Sequence, residues 1–133
     1  MDKLEYIPGD LVMTKTEPND FIPNGIVCKF NGCVFRDKVY VSTVMLADNF
    51  ICKKEYIAPI PLTPEILEKN GWELYHGIYY SPNEDGIGVC LINQTGYVWN
   101  AYTEQRLLRS YINSVSDLQH LLFGLGINYE MEV

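Results

Sequence analysis

Residues 62–71 read Leu-Thr-Pro-Glu-Ile-Leu-Glu-Lys-Asn-Gly, and this stretch contains the start and stop signals of a short helix. Thr63 can cap the first free amides, and Pro64 takes the first helical position, where its missing N–H costs nothing. Asn70-Gly71 can end the helix with a residue in the left-handed conformation. We therefore predict one short helix here, and β structure predominates in the sequence on both sides of it.

A β-hairpin is predicted upstream of this helix. Two short apolar runs, Ile-Val-Cys-Lys-Phe at 26–30 and Cys-Val-Phe-Arg at 33–36, are joined by Asn31-Gly32. An Asn-Gly link accepts positive φ at both of its positions, as a two-residue type I′ turn requires. The register of such a hairpin puts Cys28 and Cys33 on one face, and we expect both thiols in the core.

Short strands recur through this first half of the chain. Pro8-Gly9-Asp10 is a turn that leads into a strand at 11–14, and a β-branched run at 39–44 is followed by a strand at 50–52. Strands of this length and spacing predict a small SH3-like barrel or a strongly bent sheet over residues 1–61.

The sequence after the helix predicts an antiparallel meander. Polar turns separate four expected strands, at residues 72–80, 87–92, 97–102 and 106–112. A second helix follows, with a capping-box spacing from Ser114 to Asp117 and an apolar stripe that ends near Gly126. Residues 127–133 are predicted to form a last strand.

These elements predict an α+β fold that is mainly antiparallel β with two short helices. A length of 133 residues fits one domain. We therefore expect a single domain over residues 1–133. It combines a β-rich, SH3-like part at 1–61 with a part at 62–133 that contains helix, meander, helix and last strand.

The composition indicates which partners to exclude. Ten Lys and Arg against seventeen Asp and Glu give a net charge of −7. An acidic surface repels phosphate backbones and anionic lipids, so neither bulk nucleic acid nor a membrane is expected as a partner. No apolar run is long enough to span a bilayer, and the first residues lack a signal peptide. The expected location is the cytoplasm.

Patterns typical of catalysis and metal binding are missing from the sequence. The two histidines, His76 and His120, belong to no metal-binding spacing, and the four cysteines include no Cys-x-x-Cys pair. There is no Gly-x-Ser-x-Gly motif and no phosphate-binding loop. We therefore expect no enzymatic activity, no metal site and no cofactor.

The feature of the sequence that suggests a binding function is its aromatic content, with ten Tyr, two Trp and five Phe. In the predicted meander, alternation puts Tyr97 and Trp99 on one face, and Arg109 shares a face with Tyr111 on the strand that begins at Arg106. Aromatic rings beside arginine are a common way to hold nucleotide bases and phosphates. These five residues are the predicted ligand site. The alternative is that a half-buried antiparallel sheet uses the aromatics for packing.

Two stretches of the chain carry a resemblance to a known group of proteins. Residues 59–72 read Pro-Ile-Pro-Leu-Thr-Pro-Glu-Ile-Leu-Glu-Lys-Asn-Gly-Trp, and residues 118–122 read Leu-Gln-His-Leu-Leu, with Gly126-Ile127 after them. They resemble the central motif and the C-terminal helix of small uncharacterised proteins common in Bacteroidetes phages and prophages. That helix often has Tyr and His where this chain has Ser114 and Ser116. The resemblance implies a phage or prophage origin and action in the bacterial cytoplasm, and it implies no activity.

We interpret the chain as a small binding protein without enzymatic activity. One hypothesis is an anti-defence sponge that sequesters a small nucleotide signal of anti-phage immunity. Its pocket would be lined by aromatic and basic residues, and such pockets are often built between the subunits of a homo-oligomer. The alternative is a protein–protein adaptor or inhibitor that acts on a host factor, for which an acidic surface with exposed aromatics suffices.

Overall fold

The computed structural model describes residues 6–15, 25–35, 37–44, 49–82, 88–96, 98–103, 106–127 and 129–133. The chain divides into two compact units, Met1–Ile60 and Pro61–Val133. Each unit contains one five-stranded antiparallel sheet, and two α-helices belong to the second unit. The predicted α+β class, mainly antiparallel β, is confirmed. That the whole chain forms a single domain stays a prediction.

The sheet of the first unit has the strand order β4-β3-β2-β1-β5. Its strands are β1 (Leu11–Thr14), β2 (Val27–Phe35), β3 (Lys38–Thr43), β4 (Asn49–Lys53) and β5 (Ile57–Pro59). A single turn of 3₁₀ helix, Lys54–Tyr56, precedes β5. The alternative of a barrel over residues 1–61 is wrong for the described strands, which form an open sheet.

Alternation along the strands builds the core of this unit on one face of the sheet. In β3 every second residue is buried, because successive side chains of a strand point to opposite faces. The buried cluster consists of Val12, Cys28, Phe30, Val39, Val41, Cys52 and Ile57. The ring of Tyr6 closes over it, with its centroid 5.4 Å from that of Phe30.

The hairpin predicted at Asn31-Gly32 is wrong. Strand β2 continues through both residues and pairs with β1 along one edge and with β3 along the other. Its register against β3 shifts between Phe30 and Gly32, where Gly32 has a φ of +148°. A bulge at Asn31-Gly32 therefore takes the place of the turn, because β2 keeps pairing with β3 on both sides of it, from Cys28 to Phe35.

The same correction applies to one of the cysteines. Cys28 is buried, as predicted, but Cys33 lies beyond the bulge and is exposed. Cys33 pairs with Val39, close to the point where the chain passes from β2 to β3.

The sheet of the second unit is the predicted meander, with the strand order β10-β9-β8-β7-β6. Its strands are β6 (Glu73–Tyr75), β7 (Ile78–Tyr80), β8 (Cys90–Thr95), β9 (Val98–Thr103) and β10 (Arg106–Ile112). The two helices of this unit are α1 (Pro64–Lys69) and α2 (Val115–Gly124). Among the described residues, neither helix has the length and apolar character that crossing a membrane requires.

Both helices begin and end as the sequence predicts. The Thr63 Oγ1 accepts a hydrogen bond from the Ile66 N–H at 3.3 Å and caps α1. The Ser114 Oγ accepts one from the Asp117 N–H at 3.0 Å and caps α2. Gly71 follows α1 with a φ of +89°, the left-handed conformation expected after the C-cap.

Residues 72–80 are predicted as one strand, but the structure has two, β6 and β7, which pair as a hairpin. His76 and Gly77 form the turn, with φ values of +52° and +81°. Positive φ at both positions is the requirement of a type I′ turn. His76 thus belongs to an exposed turn and not to a strand.

The last predicted strand, at 127–133, is also wrong for the residues that the structure describes there. Residues 129–133 form no strand, and the Asn70 side chain holds this tail instead. Its Nδ2 donates to the Glu132 carbonyl oxygen at 2.7 Å, and its Oδ1 accepts from the Glu132 N–H at 2.8 Å. The amide side chain of Asn70 thus makes the pair of hydrogen bonds that a neighbouring strand would make with the Glu132 backbone.

Candidate functional site

Trp99, a member of the predicted ligand site, belongs to the core of the second unit. Its indole is 2% exposed, and the Nε1–H donates a hydrogen bond to the Leu62 carbonyl oxygen at 2.9 Å. The Tyr79 ring packs edge-on against it, with centroids 5.7 Å apart. Trp99 therefore presents no open ring face on which a base could stack, and packing is its role in this structure.

Arg109 connects β10 to the start of α2. Its Nη2 lies 3.2 Å from the Asp117 Oδ1, and the other Asp117 oxygen accepts the Asn113 N–H at 3.3 Å. The backbone N–H of Asp117 donates to the Ser114 Oγ. The residue whose carboxylate pairs with Arg109 therefore also belongs to the N-terminal cap of α2. The guanidinium of Arg109 is thus already engaged by a carboxylate.

The remaining predicted site residues do not complete a pocket. Tyr111 is 66% exposed and has a φ of +59°, at an irregularity where its N–H donates to the Asn100 Oδ1 at 3.3 Å. Arg106 is exposed and pairs with Thr103 near the end of the sheet. Tyr97 lies outside the described residues. Among the other four, the structure does not bring the rings and guanidinium groups together around a common cavity.

The two buried thiols of the first unit, Cys28 and Cys52, have little nucleophilic character. Burial raises the pKa of the Cys28 thiol to about 11, and the neighbouring Cys52 adds to this effect. Burial likewise raises the pKa of Cys52. Because the thiolate is the reactive form, neither group is activated. Within the described residues, no three His, Cys, Asp or Glu side chains converge as metal ligands.

One face of the second sheet is covered by the rest of its unit. Tyr79, Leu91 and Ala101 are cross-strand neighbours on this face, and all three are buried. The Tyr79 hydroxyl donates to the Glu68 Oε2 at 2.8 Å, which ties this face to α1. Burial, followed by the Glu68 contact, raises the pKa of Tyr79 to about 12, so its hydroxyl remains a donor.

The opposite face of this sheet is mostly apolar, with Asn100 as a polar member opposite Ile92, and its side chains are partly or largely exposed to solvent. Its residues alternate with the buried ones, and cross-strand pairs align them in register. One row runs across the last four strands through Tyr80, Cys90, Tyr102 and Leu107. We define the outer face as the seven apolar side chains Tyr75, Ile78, Tyr80, Cys90, Ile92, Tyr102 and Leu107.

The outer face is large enough to serve as a binding surface. Its most exposed side chains are Tyr75 at 63%, Leu107 at 52%, Tyr80 at 40% and Ile92 at 37%. At roughly 200 Å² for a fully exposed large side chain, these four offer about 400 Å² of accessible surface. Apolar patches of roughly 300–600 Å² are the largest on typical monomers and are often functional.

The outer face contains almost no charge. Among the described residues, the one charged side chain on this side of the sheet is Glu73, which pairs with Tyr80 at the β6 edge. An antiparallel sheet with one solvated face normally alternates apolar and polar residues. The second sheet does not, since its strands contain the consecutive apolar runs Ile78-Tyr79-Tyr80 and Cys90-Leu91-Ile92. Such runs are typical of strands that are buried on both faces.

Sequence reasoning missed this face because it followed the aromatics of β9 and β10 alone. The signal that could have found it is the lack of alternation in β7 and β8. Neither a protein-family model nor a curated protein nor a solved structure matches the chain. The geometry of the outer face is therefore the basis for a functional proposal.

Proposed function

We propose that the chain is a protein-binding module that docks a partner protein on its outer face and acts as an adaptor or inhibitor. The observation that supports this proposal is a sheet that is apolar on both faces but covered on only one. A mostly apolar surface with Glu73 as its one described charge is suited to the centre of a protein–protein interface, from which charged residues are depleted. Tyrosine is also among the residues that most often dominate binding energy.

The charge of the second unit indicates the kind of partner. Residues 61–133 contain three basic and nine acidic residues, so most of the negative charge of the chain lies in the unit that has the outer face. Complementary potentials accelerate encounter and suppress wrong partners. We therefore expect an apolar partner surface that is surrounded by Lys and Arg.

The magnitude of the burial is consistent with a specific but moderate affinity. Covering about 400 Å² at about 25 cal/mol per Å² contributes roughly 10 kcal/mol from this side of the interface. Association costs an estimated 4–15 kcal/mol in lost translational and rotational freedom. The apolar centre alone therefore comes close to offsetting that cost, and the polar rim sets the final affinity.

The nucleotide-sponge hypothesis has weaker support. A phosphate needs a free cation or a cluster of donors, and the described part of the outer face has neither Lys nor Arg. Arg109 is paired with Asp117, and Trp99 is enclosed. Sequestration of a nucleotide and a phage or prophage origin stay predictions from the sequence.

Site-specific photo-crosslinking tests the proposal. A benzophenone side chain is placed at position 107 or 75 on the outer face, and at position 123 as the matched control. Phe123 is apolar and 56% exposed, close to the 52% of Leu107, but it lies on α2. We expect one host protein to be captured from both outer-face positions and not from position 123. Equal capture from all three positions, or none from 107 and 75, would contradict the proposal.

A further inference from the structure

The first sheet has an exposed face of a different chemical character. Alternation puts Lys38 and Tyr40 of β3 on the side opposite the core, and they pair with Lys53 and Ile51 of β4. Lys29 of β2 lies on the same side, two residues along the register, where it pairs with Ser42. We define the lysine face as Lys29, Lys38, Tyr40, Ile51 and Lys53.

Two like charges are direct partners on this face. Lys38 and Lys53 face each other across β3 and β4, an arrangement that opposes folding because like-charged cross-strand pairs repel. No ion pair to Lys29, Lys38 or Lys53 is present among the residues that the structure describes. A Glu at position 38 or 53 would remove the repulsion between these two lysines. Since both positions are lysine, the pair is a candidate for binding an anion.

The distribution of charge along the chain strengthens this argument. Residues 1–60 contain seven of the ten basic residues and eight acidic ones, so they are nearly neutral in an otherwise acidic chain. Three of these seven are on the lysine face. The lysine face thus holds three positive charges in a unit whose net charge is close to zero.

The centre of the lysine face is apolar. Tyr40 is 39% exposed and Ile51 is 52% exposed, and the two are cross-strand partners. This arrangement fits a segment in which carboxylates flank an apolar side chain. It fits nucleic acid less well, because single strands are held by several stacking rings and Tyr40 is the one ring on this face.

We propose that the lysine face docks an acidic segment of a protein. The ammonium groups of Lys29, Lys38 and Lys53 pair with carboxylates, and Tyr40 and Ile51 contact the apolar side chain between them. This surface is chemically the opposite of the outer face, and a chain with both would contact two different partners. Since exposed charges are screened within about 10 Å at 0.1 M salt, binding weakens as salt is added.

A simple structural role for these lysines makes a different prediction. Lysines on exposed strands discourage edge-to-edge aggregation and need no ligand. The substitution Lys38→Glu distinguishes the two roles, because it places opposite charges across from each other and removes the repulsion with Lys53. The fold then gains stability while binding is lost, which is a combination that a damaged structure cannot produce.

The experiment titrates the full chain with poly-L-glutamate and compares Lys38→Glu with the control Lys15→Glu. Lys15 is an exposed lysine of the same unit outside the lysine face. We expect Lys38→Glu to melt no lower than wild type and to bind about tenfold more weakly, and Lys15→Glu to bind as wild type does. If Lys38→Glu does not fold, Lys53→Gln is expected to show the same direction of change.

Three results would overturn the proposal. They are no binding of poly-L-glutamate by the wild type, equal loss in the Lys15→Glu control, and tighter binding of a thymidine oligonucleotide than of poly-L-glutamate. Leu107→Ser separates this proposal from that for the outer face, because this substitution should leave poly-L-glutamate binding unchanged.

Discussion

Replacement of Trp99 by Phe tests whether this residue is part of the core or part of a ligand site. The substitution keeps an aromatic ring but removes the indole N–H, so the Leu62 carbonyl oxygen loses its donor. Leu62 is fully buried, and water cannot take the place of that donor without rearrangement. An unsatisfied buried acceptor costs about 1–3 kcal/mol. The smaller ring adds about 1 kcal/mol for the cavity it leaves.

The expected loss of unfolding free energy is therefore about 2–4 kcal/mol. Tryptophan fluorescence during unfolding in guanidinium chloride measures it, because Trp72 and Trp99 are the two tryptophans and both belong to the second unit. In the variant, Trp72 remains as a buried reporter. The control is Tyr111→Phe, which removes a hydroxyl from an exposed side chain and should change stability by less than about 0.5 kcal/mol.

Two results would refute this reasoning. One is a Trp99→Phe variant whose stability lies within the range of the Tyr111→Phe control. The other is a saturable quenching of tryptophan fluorescence by a nucleotide that occurs in the wild type and is lost in Trp99→Phe, since an enclosed indole cannot stack on an added base.

Three further predictions concern local features of the two units. Ser114→Ala removes the cap of α2 and should lower the unfolding free energy by about 1 kcal/mol, measured by denaturant titration. Asn70→Ala removes both hydrogen bonds to the Glu132 backbone, and hydrogen exchange of the Glu132 amide should become faster. Burial raises the pKa of Cys28 from 9.0 to about 11, so the unfolded chain loses this proton first as pH rises. The contribution of this thiol to stability is complete below about pH 9 and should be lost towards pH 11, about 2–3 kcal/mol in all, and Cys28→Ala should make the alkaline slope shallower.

Elements governed by local chemistry were predictable from the sequence. Thr63 and Ser114 cap their helices as expected, because a cap depends on residues within one helical turn. Turns depend also on what the flanking strands pair with. Asn31-Gly32 has the residues of a hairpin turn but lies within β2, while His76-Gly77 forms the turn between β6 and β7. The first case follows from pairing with distant strands, which a local pattern cannot reveal.

The candidate site was less predictable than the fold. Alternation correctly groups residues by face, but it does not say which face the helices cover. The sequence pattern groups Trp99 with the predicted ligand site, but Trp99 lies on the covered face. The same pattern gives Leu107 no role, but Leu107 lies on the open face. The difference depends on how α1 and α2 pack on the sheet, which is a tertiary feature.

The most direct test of the outer face is the partner binding of the double variant Tyr75→Ser/Leu107→Ser. Both side chains are more than half exposed, so their loss should change the unfolding free energy by less than about 1 kcal/mol. The control Phe123→Ser removes an equally exposed apolar side chain from α2. We predict that the double variant stays folded and no longer retains the protein crosslinked from position 107, while Phe123→Ser retains it. Retention of that partner by a folded double variant would contradict the role of the outer face.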